Sequence, residues 1–148
     1  MIATFAAVFV SLLVAHTLGD HWVQTSHQAA HKGARDLAGA LACLRHVLTY
    51  TATTTAFVGA TWFLLGLPIT WVGLLLGQAV SAITHYWADR RWTLAWLARV
   101  TGKSTFARLG VPCDGHNDKS CLGTGAYALD QSFHWLWLWV AAIVTAVV

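Results

Sequence analysis

Glutamate is absent from this chain, and charged side chains of all kinds make up only 10% of its 148 residues. Ordinary soluble domains carry about a quarter charged residues, so this scarcity, set against 57% hydrophobic residues, points to a membrane as the solvent. Three cysteines do not make a disulfide framework, and Cys43 lies in an apolar stretch where a buried, inert thiol is expected. The opening MIATFAAVFV lacks a basic n-region, which argues against a cleaved signal peptide. The length allows one domain. A net charge of +3 raises the question of nucleic acid, but the basic residues stand beside hydrophobic runs, where membrane topology explains them. No nucleic-acid partner is expected.

A spanning helix needs about 20 mostly apolar residues. Four segments meet that need, at about 2–19, 39–65, 69–87 and 125–148. The expected fold is therefore all-α, a polytopic membrane four-helix bundle in a single domain. The first span is expected to continue as a polar helix through Asp20, Gln24 and His27 toward His31. Lys32 to Asp36 reads as a turn, with Asp36 as N-cap of the second span. Gly66-Leu67-Pro68 makes a tight uncharged turn. Gly73 and Gly77 sit at small-xxx-small spacing, suited to close helix packing and offering a candidate surface for homo-oligomers. DRRWTLAWLARV reads either as an interfacial amphipathic helix or as an extension of the third span. A Gly-rich polar loop follows, over residues 101–123. Several of the nine Trp flank span ends as interfacial anchors, and Trp135, Trp137 and Trp139 read as lipid-facing.

With four spans, segments 20–38 and 88–123 share one face. Lys32, Arg35, Arg90, Arg91, Arg99, Lys103, Arg108 and Lys119 all fall there, with Arg45 near that end of its helix. The opposite face has the two termini and the Leu67-Pro68 turn, without a charged side chain. The positive-inside rule makes the charged face cytoplasmic and puts both termini outside. In a bacterial cell this is the inner membrane.

The eight His and six Asp gather on or near that same face. At 1.5 Å per residue, His16 and His134 lie roughly 21 Å from the far surface, His85 roughly 24 Å and His46 roughly 30 Å. His16 and Asp20 are four residues apart, as are His85 and Asp89, and Asp130 and His134 repeat the spacing in reverse. Residues four apart share a helix face, so each pair aims a nitrogen and a carboxylate at the helix axis cluster. Neutral imidazole with carboxylate suits zinc, manganese or iron(II), and zinc is the cofactor expected first. Either the Asp join the His as ligands, or each Asp orients a His from behind. Structural interhelical hydrogen bonds are the plainer alternative. For His21, His27 and His31 an interfacial role is the plainer reading. The Thr run from Thr49 to Thr55 reads as hydroxyls bonded back to their own helix. CDGHNDKSC, from Cys113 to Cys121, has no recognised zinc-ribbon spacing and reads as a polar loop.

HTLGDHWVQTSHQAAHK near the start, LRHVLTY in the second span, HYWADRR closing the third and DQSFH opening the fourth resemble the DUF3307 family. Its members are small bacterial and phage-associated integral membrane proteins of uncharacterised function. The resemblance carries over His16, Asp20, Gln24, Lys32, His46, His85, Asp89, Asp130, Gln131 and His134. The pattern more distantly resembles membrane-bound metal-dependent hydrolases, although a second metal-binding carboxylate cluster is not evident here. Low Lys, Ile and Asn with abundant Ala, Val and Trp point to a GC-rich bacterial or phage source.

Three functions compete. The first is a metal-dependent hydrolase acting on a lipid-linked or amphipathic substrate at the cytoplasmic leaflet. There His16, His46, His85, Asp89 and His134 supply metal ligands, Asp20 or Asp130 takes the proton, and Gln24, Lys32 and Gln131 bind substrate. The second is a metal-ion or proton transporter or channel using the same layer, which ranks lower because the outer half of each span has little polar lining. The third is a non-catalytic interaction module, in phage exclusion or envelope regulation, gripping lipid or a partner through the basic 90–119 segment.

Overall fold

The computed structural model describes residues 1–111 and 123–148 and is all-α, with no strand among the described residues. Four long helices dominate: α1 (Ile2–Leu18), α3 (Leu37–Leu65), α4 (Trp71–Asp89) and α7 (Gly125–Val147). Short helices α2 (Ser26–His31), α5 (Trp92–Val100) and α6 (Ser104–Ala107) lie between them. α1 packs on α3 and α7, α3 on α4, and α4 most extensively on α7.

The helix boundaries follow local chemistry. Asp36 caps α3 as expected, its side chain accepting from the Gly39 backbone N–H at 2.8 Å. Gly66 ends the same helix in the left-handed region at φ 59°, a conformation that costs glycine nothing. Thr70 and Thr124 cap α4 and α7 through their side chains. The first helix does not run on to His31. It widens into a π-helical turn at Gly19–Val23, breaks at Gln24 (ψ 129°), and restarts as α2 under a Thr25/Gln28 capping box. The capping box outcompetes continuation because it satisfies two backbone donors locally. DRRWTLAWLARV is not an extension of α4 either. Arg91 turns the chain at φ 57°, so α5 is a separate helix.

Gly73 and Gly77 are not a free surface. They lie buried under α7, where a Cβ on Gly77 would run into Thr145 Oγ1 and would stand 2.9 Å from the Ala141 carbonyl oxygen. The small-xxx-small spacing is used within the chain, so that surface is not open to a second copy.

By length and apolarity, one helical segment among the described residues, Ile2–Val23, qualifies to cross a membrane. The other three expected spans are long helices of lower hydropathy. α3 is diluted by Thr49, Thr51, Thr53, Thr54, Thr55 and Thr61, and α7 by Asp130, Gln131 and His134. Trp135 and Trp139 are half exposed, in keeping with an outward face. Hydrophobic packing proper is concentrated away from the His/Asp end, in Val8, Leu12, Val58, Ile69, Leu74, Leu138, Ala141 and Ala142.

Candidate metal centre

Each long helix contributes one imidazole, and all four are buried: His16 and His46 at 0% exposure, His85 at 1% and His134 at 3%. On α3 the buried face runs through Ala42, His46, Tyr50 and Thr54, and on α4 through Gln78, Ser81, His85 and Asp89. That three-to-four-residue spacing brings His46 opposite His85. The π turn supplies Asp20 from α1. An extra residue in one turn changes the direction in which the following side chains leave the helix, and such turns recur at functional sites.

Four ligand-type atoms from four separate residues converge. His46 Nε2 stands 3.0 Å from His85 Nε2, 3.3 Å from Asp20 Oδ1 and 3.1 Å from Asp89 Oδ2. His85 Nε2 stands 3.4 Å from Asp20 Oδ1 and 3.2 Å from Asp89 Oδ2. Three such atoms at these separations can share one ion about 2.0 Å from each, the bond length of zinc to nitrogen and carboxylate oxygen. Calcium needs longer bonds and more oxygens. Two facing Nε2 atoms share at most one proton between them, while Asp20 Oδ1 and Asp89 Oδ2 each lie 3.1 to 3.4 Å from both nitrogens. With neutral imidazoles, lone pairs and negative charge crowd one another at close range, which is costly in a buried setting without a cation or an added proton between them.

The surrounding groups hold this cage. His16 faces Asp20 Oδ2 through Nδ1 at 3.7 Å and the Gln131 amide oxygen through Nε2 at 3.3 Å, so Gln131 orients His16. Lys32 is buried and its ammonium lies 2.8 Å from Asp89 Oδ1. Gln24 satisfies its neighbours with its amide oxygen 2.8 Å from Lys32 Nζ and its nitrogen 3.3 Å from the Asp20 carbonyl. In that orientation the oxygen also rests against the His46 ring, 3.1 Å from each nitrogen. Two consecutive arginines pin this covering segment. Arg90 donates to the Lys32 and Ala34 carbonyls, and Arg91 donates to the Ala29 carbonyl at 2.8 Å.

All ten residues singled out from the sequence thus meet in one place, but not in the arrangement expected. Asp20, read as a proton acceptor, stands among the ligand-type atoms. His16, read as a ligand, sits one layer out, although its ring also groups with His85 and His134 within 4.8 Å. Asp130 and His134 form a neighbouring pair, 3.7 Å apart. Of the three cluster carboxylates Asp130 is the most open, its side chain 29% exposed against 10% for Asp20 and 3% for Asp89.

Tyr50 was legible only in hindsight. Its ring stacks on His85 at 3.8 Å, and its hydroxyl pairs with Ser81 at 3.0 Å. One turn further, Thr54 donates to the Gln78 amide oxygen at 2.7 Å. The signal is the i,i+4 step from His46 to Tyr50 and from His85 back to Ser81. His21, His27 and His31 are exposed and stand outside the cluster, with His21 and His31 bonded to carbonyls one turn back. The segment Cys113 to Cys121 lies outside the described residues.

Neither the curated proteins nor the solved structures hold a significant match to this chain. A family profile described as "Protein of unknown function (DUF3307)" matches residues 8–148, a range that takes in α3, α4, α7, most of α1 and every residue of the His/Asp cluster. The chain belongs to the DUF3307 family.

Proposed function

We propose that this protein is a multi-pass inner-membrane protein, a four-helix bundle whose His/Asp cluster binds a divalent metal, zinc foremost, and hydrolyses a lipid-linked or amphipathic substrate at the cytoplasmic leaflet. The observation that carries the metal reading is the cage of Asp20 Oδ1, His46 Nε2, His85 Nε2 and Asp89 Oδ2, with its five separations of 3.0 to 3.4 Å. A purely structural pairing would give each carboxylate its own donor, whereas here two carboxylate oxygens crowd the same two imidazole nitrogens.

The membrane reading is supported by apolar side chains on the outside and small polar ones among those buried. Val10, Val14, Leu44, Leu48, Leu75, Leu76, Ile83 and Leu136 face outward, while Thr4, Ser11, Thr54, Gln78, Ser81 and Thr145 are buried. Large exposed apolar surfaces mark contact with a partner or a membrane, and small polar residues between helices are the packing style of membrane interiors. α1 also contributes His16 to the buried cluster, a role that a removed leader would not have. The described basic residues gather at the cluster end, as the positive-inside rule requires of a cytoplasmic face.

A divalent ion held by three of the cage side chains, with the fourth position left to water, would supply Lewis acidity and lower the pKa of that water. The chain's own residues divide the remaining work. His16 and Gln131 fix the Asp20 carboxylate, Lys32 and Gln24 present a cation and an amide to an anionic headgroup, and Asp130, at the open edge, accepts a proton. Transport has weaker support. Among the described residues the polar side chains below the cage pair off as Tyr50 with Ser81, Thr54 with Gln78 and Ser11 with Thr61, and each pair is closed on itself.

Metal content of the purified wild type beside the His46→Ala/His85→Ala double variant tests the metal half. The expected result is bound zinc in the wild type and none in the variant; a wild type that neither contains nor takes up metal overturns it. Mass spectrometry of bacterial membrane lipid incubated with zinc-loaded protein tests the hydrolase half. Identical lipid profiles for wild type and double variant would overturn it.

A further inference from the structure

We infer that Asp89 is a bridging carboxylate and that its second oxygen, with Asp130 and His134, forms a second and weaker divalent-cation site beside the cage. This rests on the metal reading above and extends it from one ion to two.

The two oxygens of Asp89 serve different neighbours. Oδ2 belongs to the cage, 3.1 Å from His46 Nε2 and 3.2 Å from His85 Nε2. Oδ1 faces away, toward Lys32 Nζ at 2.8 Å and His134 Nε2 at 3.9 Å. His134 Nε2 is also 3.7 Å from Asp130 Oδ1, and both separations are too long for hydrogen bonds. The nitrogen is buried without any hydrogen-bond partner, although its residue is only 3% exposed. A buried imidazole that merely packed would find a donor or acceptor, because an unsatisfied one is destabilising. Instead it aims into a gap flanked by two carboxylates, and one ligand atom from each of the three residues lies within 4.8 Å of the others.

The looser spacing sets the order of affinity. The cage separations of 3.0 to 3.4 Å already suit ligands on one ion, whereas 3.7 and 3.9 Å leave the second position wider and open at its Asp130 edge. Ligands spread in this way suit an ion that keeps waters, with places for substrate oxygens. Charge points the same way. Asp20, Asp89 and Asp130 against the Lys32 ammonium leave two negative charges when the imidazoles are neutral. One divalent ion balances that, so a second enters with an anion or by displacing Lys32 from Oδ1. Two ions sharing one carboxylate are the usual clamp for both oxygens of a displacement reaction.

Zinc titration of the full chain in detergent, with and without inorganic phosphate, tests this through stoichiometry. The expected wild type takes two equivalents, the second at least tenfold weaker and tightened by phosphate. Asp130→Asn keeps the side chain's size at a partly open position, and should retain the first equivalent within twofold while losing the second. His134→Gln should do the same, and a thermal melt with helix content confirms that each variant is folded. A wild type saturating at one equivalent in both conditions overturns the inference and leaves the cage standing. Two equivalents retained in folded Asp130→Asn and His134→Gln also overturn it. A wild type that binds no zinc overturns both.

Discussion

The end of the molecule near the α3–α4 turn buries Val8, Leu12, Val58, Leu74 and Leu138 and lets Gly73 and Gly77 bring α4 against α7. The opposite end buries four imidazoles and the Asp89 carboxylate, crowds two carboxylate oxygens against His46 and His85, and leaves His134 Nε2 without a hydrogen bond. An unsatisfied buried group of this kind costs about 1–3 kcal/mol. The first end supplies stability and the second consumes it. A protein selected only to hold four helices together would not keep this asymmetry, because apolar side chains of similar volume in place of buried charges are often neutral or stabilising.

That contrast is broken most severely by emptying the cage. His46→Ala/His85→Ala should lower zinc affinity by far more than the 10–100-fold that loss of a supporting residue costs, as read by equilibrium dialysis and elemental analysis. The apolar end should still fold. Helix content is therefore expected to persist, while the two cavities and the carboxylates left without imidazoles lower the metal-free melting temperature. Unchanged zinc affinity in the folded variant would show that the histidines are not ligands.

The complementary break is Gly77→Leu. Its Cβ would collide with Thr145 and approach the Ala141 carbonyl, so α4 and α7 must separate. Overpacking of this kind costs about 1–3 kcal/mol, read as a lower melting temperature in detergent. Because the collision lies at the other end, protein that remains folded should bind zinc with wild-type affinity. Loss of both together would show that the two ends are not separable.

The same division explains what the sequence disclosed. Helix existence was legible, since apolar runs with Asp36, Gly66 and Pro68 as punctuation leave little choice. The membership of the cluster was also legible, from His and Asp at four-residue spacing on separate helices. The arrangement was not. Asp20 joins the cage because the helix widens into a π turn at Gly19, and nothing in GDHWV announces that. Asp89 and Asp130 are 41 positions apart and come near one another only through the α4–α7 packing, which no local spacing reveals. Length alone marks four spans, whereas threonine in α3 and polar residues in α7 leave Ile2–Val23 as the one segment among the described residues that qualifies on hydropathy.

Lys32→Met refines the contrast within the polar end. Its ammonium, 2.8 Å from Asp89 Oδ1, competes for the oxygen assigned to the second ion. Removing the charge while keeping the stem should tighten the second zinc equivalent about tenfold, a change of about 1.4 kcal/mol. The cage lies on Oδ2 and should be less affected. Calorimetric titration separates the two events, and equal shifts in both would show that Lys32 acts only as a general field.

The smallest effect locates the border between the two ends. Tyr50 lies between them, with its ring against His85 and its hydroxyl on Ser81. Tyr50→Phe keeps the ring and deletes that hydrogen bond, and Ser81 retains a hydroxyl that can turn to its own helix backbone. The expected cost is about 0.5–1.5 kcal/mol in the melt, the ordinary worth of one such bond, and interhelical bonds in membranes tend to the lower figure. Zinc affinity should stay within twofold, because the stacked ring still fixes the plane of His85. If affinity instead falls tenfold or more, the hydroxyl pair belongs to the site, and the border must be drawn one helical turn deeper, at Thr54 and Gln78.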